Sequence, residues 1–161
     1  MRIGIDAKFF GPKDRGIGRY VENLVKNLEK IDKLNQYLIF LTEERWNEYI
    51  STNPNFKKIK YTLSFNKYNL DLMHFTQYMV PPYRGRFIIT VHDLIWYKFP
   101  ILGIFKRLVY KKFFDLALKR AERIIAVSRC TREDILKTYS SNRGAIKINP
   151  QKIIVIYEGV S

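Results

Sequence analysis

Six apolar runs recur along the chain: RIGID (2–6), YLIFLT (37–42), LDLMHF (70–75), FIITVHD (87–93), RIIAVS (123–128) and KIIVIYEG (152–159). Several are nearly continuous Ile, Val and Leu rather than alternating, the pattern of strands buried on both faces of a parallel sheet. Apolar residues at helical spacing fill several gaps between them. Ile17, Tyr20, Val21, Leu24, Leu28 and Ile31 line one side of a predicted helix whose Arg19, Glu22, Lys26 and Glu29 turn outward. Phe105, Leu108, Val109, Phe113 and Leu116 repeat the spacing in the second half. TREDILKTY (131–139) opens on Thr131 and puts Glu133 and Asp134 in the first turn, as a capped helix start does. Strands alternating with helices predict an α/β layer fold.

In such folds ligands bind beyond the carboxyl ends of the strands. The informative residues are therefore those just after each run: Ala7 to Gly18, His74 to Tyr83, His92 to Leu94, Ser128, and Glu158 with Gly159. In the first of these segments, Gly16 and Gly18 flank Ile17 at the predicted helix start. Glycines there let backbone N–H groups approach an anion at the positive end of the helix, or simply turn the chain and pack tightly. The pattern is not G-x-G-x-x-G, because Val21 stands where a third glycine belongs, and no Walker lysine-serine pair follows.

His92 and Asp93 close the fourth run. A strand-end imidazole can bond a sugar hydroxyl or a phosphate oxygen, or only a neighbouring carbonyl. Asp93 reads as a brace for its loop, and His74, inside an apolar run, as a core histidine. Ser128 lacks the G-x-S-x-G elbow, so it reads as a helix cap or a ligand hydrogen bond rather than a nucleophile. No Cys, His or carboxylate grouping has metal-ligand spacing.

At 161 residues the chain is one domain by length, and 47% hydrophobic with 15% aromatic residues describes a folded protein. No apolar stretch reaches the length of a membrane span, and MRIGID, with a charge and an acid in six residues, does not read as a signal peptide. The single Cys130 permits no internal disulfide, and a cytoplasmic setting follows as the expectation. The net charge of +14 fits a nucleic acid, an anionic membrane or a phosphorylated ligand. Part of the excess is local, since residues 98–123 hold eight Lys or Arg against two acids. That segment, PILGIFKRLVYKKFFDLALKR (100–120), is amphipathic, aromatic and basic. It reads more simply as a core helix with a solvated basic face than as a helix lying on an anionic bilayer. RNA binding fits less well, because the strands look buried and carry few aromatics.

Taken in order, MRIGIDAKFF, GIGRYVENLVKNL, DLMHFTQYMVPP, FIITVHDLI, RAERIIAVSRCTREDI and KIIVIYEGVS resemble the N-terminal half of a retaining GT-B glycosyltransferase of family 4. The resemblance covers essentially the whole chain and rests on the order of the motifs rather than on any one of them. It implies a Rossmann-like three-layer α/β/α domain over residues 1–161, with a mainly parallel sheet, on the acceptor side of a two-domain enzyme. It implies that the backbone of Gly16, Ile17 and Gly18 meets the diphosphate of a nucleotide-sugar donor. It also implies that His92 acts near the transferred sugar as the catalytic residue. Arg15, Tyr78, Asp93 and Ser128 are candidate sugar or acceptor contacts.

The nucleotide-sugar is then a co-substrate, with no cofactor or metal, and the acceptor is a glycan or a lipid-linked molecule. Peripheral contact with the inner face of the cell membrane is compatible with the basic surface. The family's paired-glutamate motif belongs to the other half, so sugar transfer by these 161 residues alone is not expected. The alternative is a non-catalytic Rossmann-like module that holds a polyanion or a partner protein.

Overall fold

The computed structural model describes residues 1–98, 103–140 and 147–159. Pro100 to Leu102, at the start of the basic segment, and Val160 with Ser161 lie outside them. The chain forms two compact units, Met1–Thr76 with Pro81–Arg86, and Gln77–Val80 with Phe87–Ser161. Both are of the α/β class, and every described strand pairing is parallel. The architecture is Rossmann-like.

The first unit holds strands β1 (Arg2–Asp6), β2 (Gln36–Leu41), β3 (Phe56–Lys60) and β4 (Leu72–Phe75), with helix α1 (Arg15–Ile31) between the first two. Their order is β3-β2-β1-β4. Tyr37, Ile39 and Leu41 of β2 join Ile5, and α1 lays Val21 and Val25 over them. Phe40 points to the other face, 4.8 Å from the Phe65 ring and 5.0 Å from Tyr68. Both faces of β2 are thus buried, as its unbroken apolar run predicts. A Cβ at Gly4 would stand 2.5 Å from the Met73 sulfur and 2.6 Å from Leu70 Cδ1 on that second face, so a larger residue there requires those two side chains to shift.

Strand β3, FKKIK, is outside the six predicted runs. It offers only Phe56 and Ile59 as apolar positions, with Lys57, Lys58 and Lys60 between and after them. It is the outermost strand of this unit. Lysines blunt such an edge against further pairing, and they also erase the apolar signal.

The second unit holds β5 (Phe87–Val91), β6 (Arg123–Ala126) and β7 (Ile153–Val155) in that order. Its helices are α2 (Ile95–Lys98), α3 (Ile104–Arg120) and α4 (Arg129–Ser140). Phe114, Ala117 and Leu118 of α3 and Ile135 and Tyr139 of α4 are buried with Ile89, Val91 and Ile124. Lys152 caps the end of α3, donating to the carbonyl oxygens of Lys119 at 3.2 Å and Ala121 at 3.0 Å.

Two helix readings need correction. Helix α4 begins at Arg129 rather than Thr131, because the Ser128 side chain caps it from one turn earlier. In α3 the predicted apolar face is the wrong one for a core. Phe105, Leu108, Val109, Phe113 and Leu116 are exposed, and the unit's core is filled from the opposite side of the helix. Helical spacing alone cannot rank two apolar faces when both exist.

Candidate functional site

In the first unit, parallel strands bring Asp6, Tyr61 and Thr76 to one edge, just beyond or at the carboxyl ends of β1, β3 and β4. The Thr76 hydroxyl donates to the Asp6 carbonyl oxygen at 2.7 Å. From this edge the chain turns through Ala7–Asp14 into α1. Several ties hold the turn. Gly11 N–H donates to Gly18 O at 3.0 Å, and Phe10 N–H donates to the Asp14 carboxylate at 2.9 Å. Arg45 grips the same carboxylate with two nitrogens, Nε at 2.6 Å and Nη2 at 2.8 Å. That bidentate pair holds the Asp14 carboxyl below its usual range.

The carboxylate of Asp14 points back into the loop, and among the described residues Asp14 makes no side-chain cap hydrogen bond to the N-terminus of α1. First-turn amides without a cap are the groups an anion would meet. Arg15 enters the helix at φ 54°, in the left-handed region that non-glycine residues seldom occupy.

The two glycines of GIG separate clearly. Gly18 is buried, and a Cβ there would run into the Gly11 carbonyl and stand 2.6 Å from the Asp14 Cβ. Its smallness is a packing requirement. Gly16 is exposed, and a Cβ there would meet nothing within 4 Å. Packing does not require glycine at that position, so close approach of a ligand to its backbone remains as a reason. Ile17 packs its side chain against the core beneath α1.

Asp6 was not among the sequence candidates, although a carboxylate ending an apolar strand at the ligand edge was a usable signal. It is fully buried. One oxygen accepts from the Lys8 N–H at 3.2 Å, and the other has no hydrogen-bond partner among the described residues. The Lys8 ammonium stands 3.7 Å away. Burial outweighs that ammonium and pushes the Asp6 carboxyl above its usual range. The Asp14–Arg45 pair, 31 residues apart, had no sequence signal at all.

The second unit builds a corner in the same way. Strands β5, β6 and β7 are parallel, so the residues that follow them, His92, Ser128 and Glu158, emerge on one edge. His92 Nδ1 lies 2.8 Å from Glu158 Oε1. A carboxylate only accepts, so Nδ1 carries the proton, and in the neutral ring Nε2 is left as the acceptor. The backbone is fixed too, because Thr131 Oγ1 donates to the His92 carbonyl at 3.1 Å. Ser128 Oγ is 3.0 Å from both the Thr131 amide and its hydroxyl, so Ser128 is the cap of α4.

Asp93 accepts from the Ile95 N–H at 3.0 Å and braces the turn into α2. Tyr78 stacks on Trp96, ring centroids 5.4 Å apart, with Phe114 edge-on at 5.1 Å. Burial and the nearby Asp93 push the Tyr78 hydroxyl up to about 12. His92, Asp93, Ser128 and Tyr78 therefore belong to the second unit, and Arg15, Gly16, Ile17 and Gly18 to the first. His74 is buried within β4, and Cys130 is exposed and free. Among the described residues no three His, Cys, Asp or Glu side chains group as metal ligands. No helix among them is long and apolar enough to cross a membrane.

Parallel strands alternating with helices define an α/β module of the Rossmann type. Residues 15–161 match the model of Glycosyltransferase Family 4, and the chain belongs to that family. The match spans both the GIG turn and the His92 corner, and begins after Asp6 and Gly11. No curated protein matches the chain.

Proposed function

We propose that the chain is the acceptor-side half of a retaining, metal-independent GT-B glycosyltransferase that takes its sugar from a nucleotide-sugar. The amides of Gly16 and Ile17, with Gly18 packed behind them, receive the donor diphosphate. His92 faces the transferred sugar, with Nε2 accepting from a sugar hydroxyl. Glu158, bonded to Nδ1, fixes the ring's tautomer and orientation, which makes it a positioning residue. The acceptor is a glycan or a lipid-linked molecule, and the enzyme works peripherally at the inner face of the cell membrane. Preorganised groups on the leaving diphosphate carry much of catalysis in such transfers, and one half supplies only part of them. This chain alone therefore binds donor and does not turn it over.

The observation that carries the reading is the 2.8 Å His92–Glu158 bond at the strand edge of a family 4 chain. The test is an NMR titration of the labelled chain with uridine- and guanosine-diphosphate sugars. Shifts should appear at the Gly16 and Ile17 amides and at the His92 ring, and Glu158→Gln should weaken the ring response while leaving the amide response. Silence at all three residues would reject the site. Sugar transfer by the purified chain would reject the half-site assignment. RNA binding with a steep salt slope, without any response to sugar nucleotides, would support a polyanion module instead.

A further inference from the structure

Helix α3 presents a second apolar face that the fold leaves uncovered. At about 100° per residue, Phe114, Ala117 and Leu118 fall on one side of the helix, and these are buried. The opposite side carries Ile104, Phe105, Leu108, Val109, Phe113 and Leu116, all exposed, with Phe105 at 82% and Ile104 at 71%. Basic residues are interleaved with them. Lys112, Lys119 and Arg120 lie within the strip and Lys106 flanks it, all exposed, with the Arg120 guanidinium 5.5 Å from the Phe87 ring. The helix's one carboxylate, Asp115, is held by the Lys111 ammonium at 2.6 Å and the Tyr139 hydroxyl at 2.6 Å.

We propose that this face of α3 is a docking surface for an anionic lipid bilayer, in which the helix lies parallel to the membrane plane. The charge pattern selects the occupant. A protein partner covering the strip would have to bury Lys112 and Lys119 at its centre, and lysine is depleted from such centres because desolvating an ammonium is costly. In a headgroup layer the same side chains reach up to phosphates while Phe105, Leu108 and Val109 enter the acyl boundary. A nucleic acid would use the lysines but has no use for a strip of Ile, Leu and Val. The proposal deepens the membrane side of the function above and is independent of the sugar chemistry.

The test uses the whole chain and vesicles of phosphatidylcholine with or without phosphatidylglycerol, in the absence of any sugar substrate. Co-sedimentation should favour the anionic vesicles and weaken at raised salt. The Phe105→Ser/Val109→Ser and Lys112→Glu/Lys119→Glu double variants should each lower partitioning by roughly tenfold or more. All four positions are exposed, so circular dichroism melts of both variants should match the parent. Phe105→Trp should give a blue-shifted emission component that brominated lipid quenches. Equal binding by the variants, or no preference for anionic vesicles, would overturn the proposal. So would self-association lost in the serine variant without vesicle binding, which would assign the face to a second copy. RNA binding lost only in the glutamate variant would overturn it in favour of a nucleic acid.

Discussion

Helices α1 and α3 are both 17 residues long, and each packs one side onto the core of its own unit. They differ in what they show on the other side. Helix α1 covers its unit with Val21 and Val25 and turns Arg19, Asn23, Lys26 and Asn27 to water. Helix α3 buries Phe114 and Leu118, yet shows Phe105, Leu108 and Val109 outward among lysines. The outer face of α1 is satisfied by solvent, whereas the outer face of α3 exposes apolar area that water does not favour. Two helices of one length thus meet water differently, the first with a polar outer face and the second with an apolar one.

The largest expected effect tests whether the two outer faces differ in kind. Val25→Asp in α1 places an unpaired charge in a fully buried site and should cost about 4 kcal/mol or more, enough to unfold the unit. Phe105→Asp in α3 should shift stability by no more than about 0.5 kcal/mol. Urea denaturation of the two variants checks the contrast, and a large loss for Phe105→Asp would show that the α3 strip is covered.

Adjacent phenylalanines within α3 sharpen it further. Phe114→Ala should lose about 3–5 kcal/mol through lost burial and the cavity left behind, while Phe113→Ala should lose well under about 1 kcal/mol.

The start of α1 offers a third comparison. Gly18→Ala forces a Cβ against the Gly11 carbonyl and should destabilise by about 1–3 kcal/mol. Gly16→Ala has room and should stabilise by about 0.4–1 kcal/mol, through a less flexible unfolded chain. Weaker sugar-nucleotide binding by the more stable Gly16→Ala variant would mark Gly16 as a functional glycine. Unchanged binding would remove it from the donor site.

The smallest effects concern pH. The Asp14 carboxyl is lowered in the fold, so its ionised form stabilises, fully above about pH 4 and less as acid protonates it. The Asp6 carboxyl is raised, so ionisation opposes folding as pH climbs past about 4. Asp14→Asn should therefore melt below the parent at neutral pH and Asp6→Asn above it, with both differences shrinking in acid. Melting curves across pH would break the contrast if both substitutions moved stability the same way.

The apolar runs were sufficient to identify six of the seven described strands. Burial on both faces of a parallel sheet demands unbroken apolar stretches, and chain order alone shows them. Strand β3 escaped because an edge strand keeps one side in solvent, and lysines there remove the pattern that marks a strand. Ser128 was legible as a cap, since a hydroxyl before a helix has few other uses. Thr131 was mistaken for the cap because it, too, precedes a helical pattern and carries the same chemistry.

Chain order alone carries the α/β class, six of the seven described strands, the Gly16–Gly18 turn and the strand-end position of His92, because local spacing and composition decide which residues share an element. It also carried the order of motifs that marks the family. Only the tertiary structure decided which partners those residues have. Glu158 is 66 residues from His92 and Arg45 is 31 from Asp14, and parallel packing, not sequence proximity, brings each pair into hydrogen-bond reach. Tertiary packing also decided which of the two apolar faces of α3 is core. The spacing of Phe105, Leu108 and Val109 fits burial as well as that of Phe114 and Leu118, and the choice follows from what the neighbouring strands present to the helix.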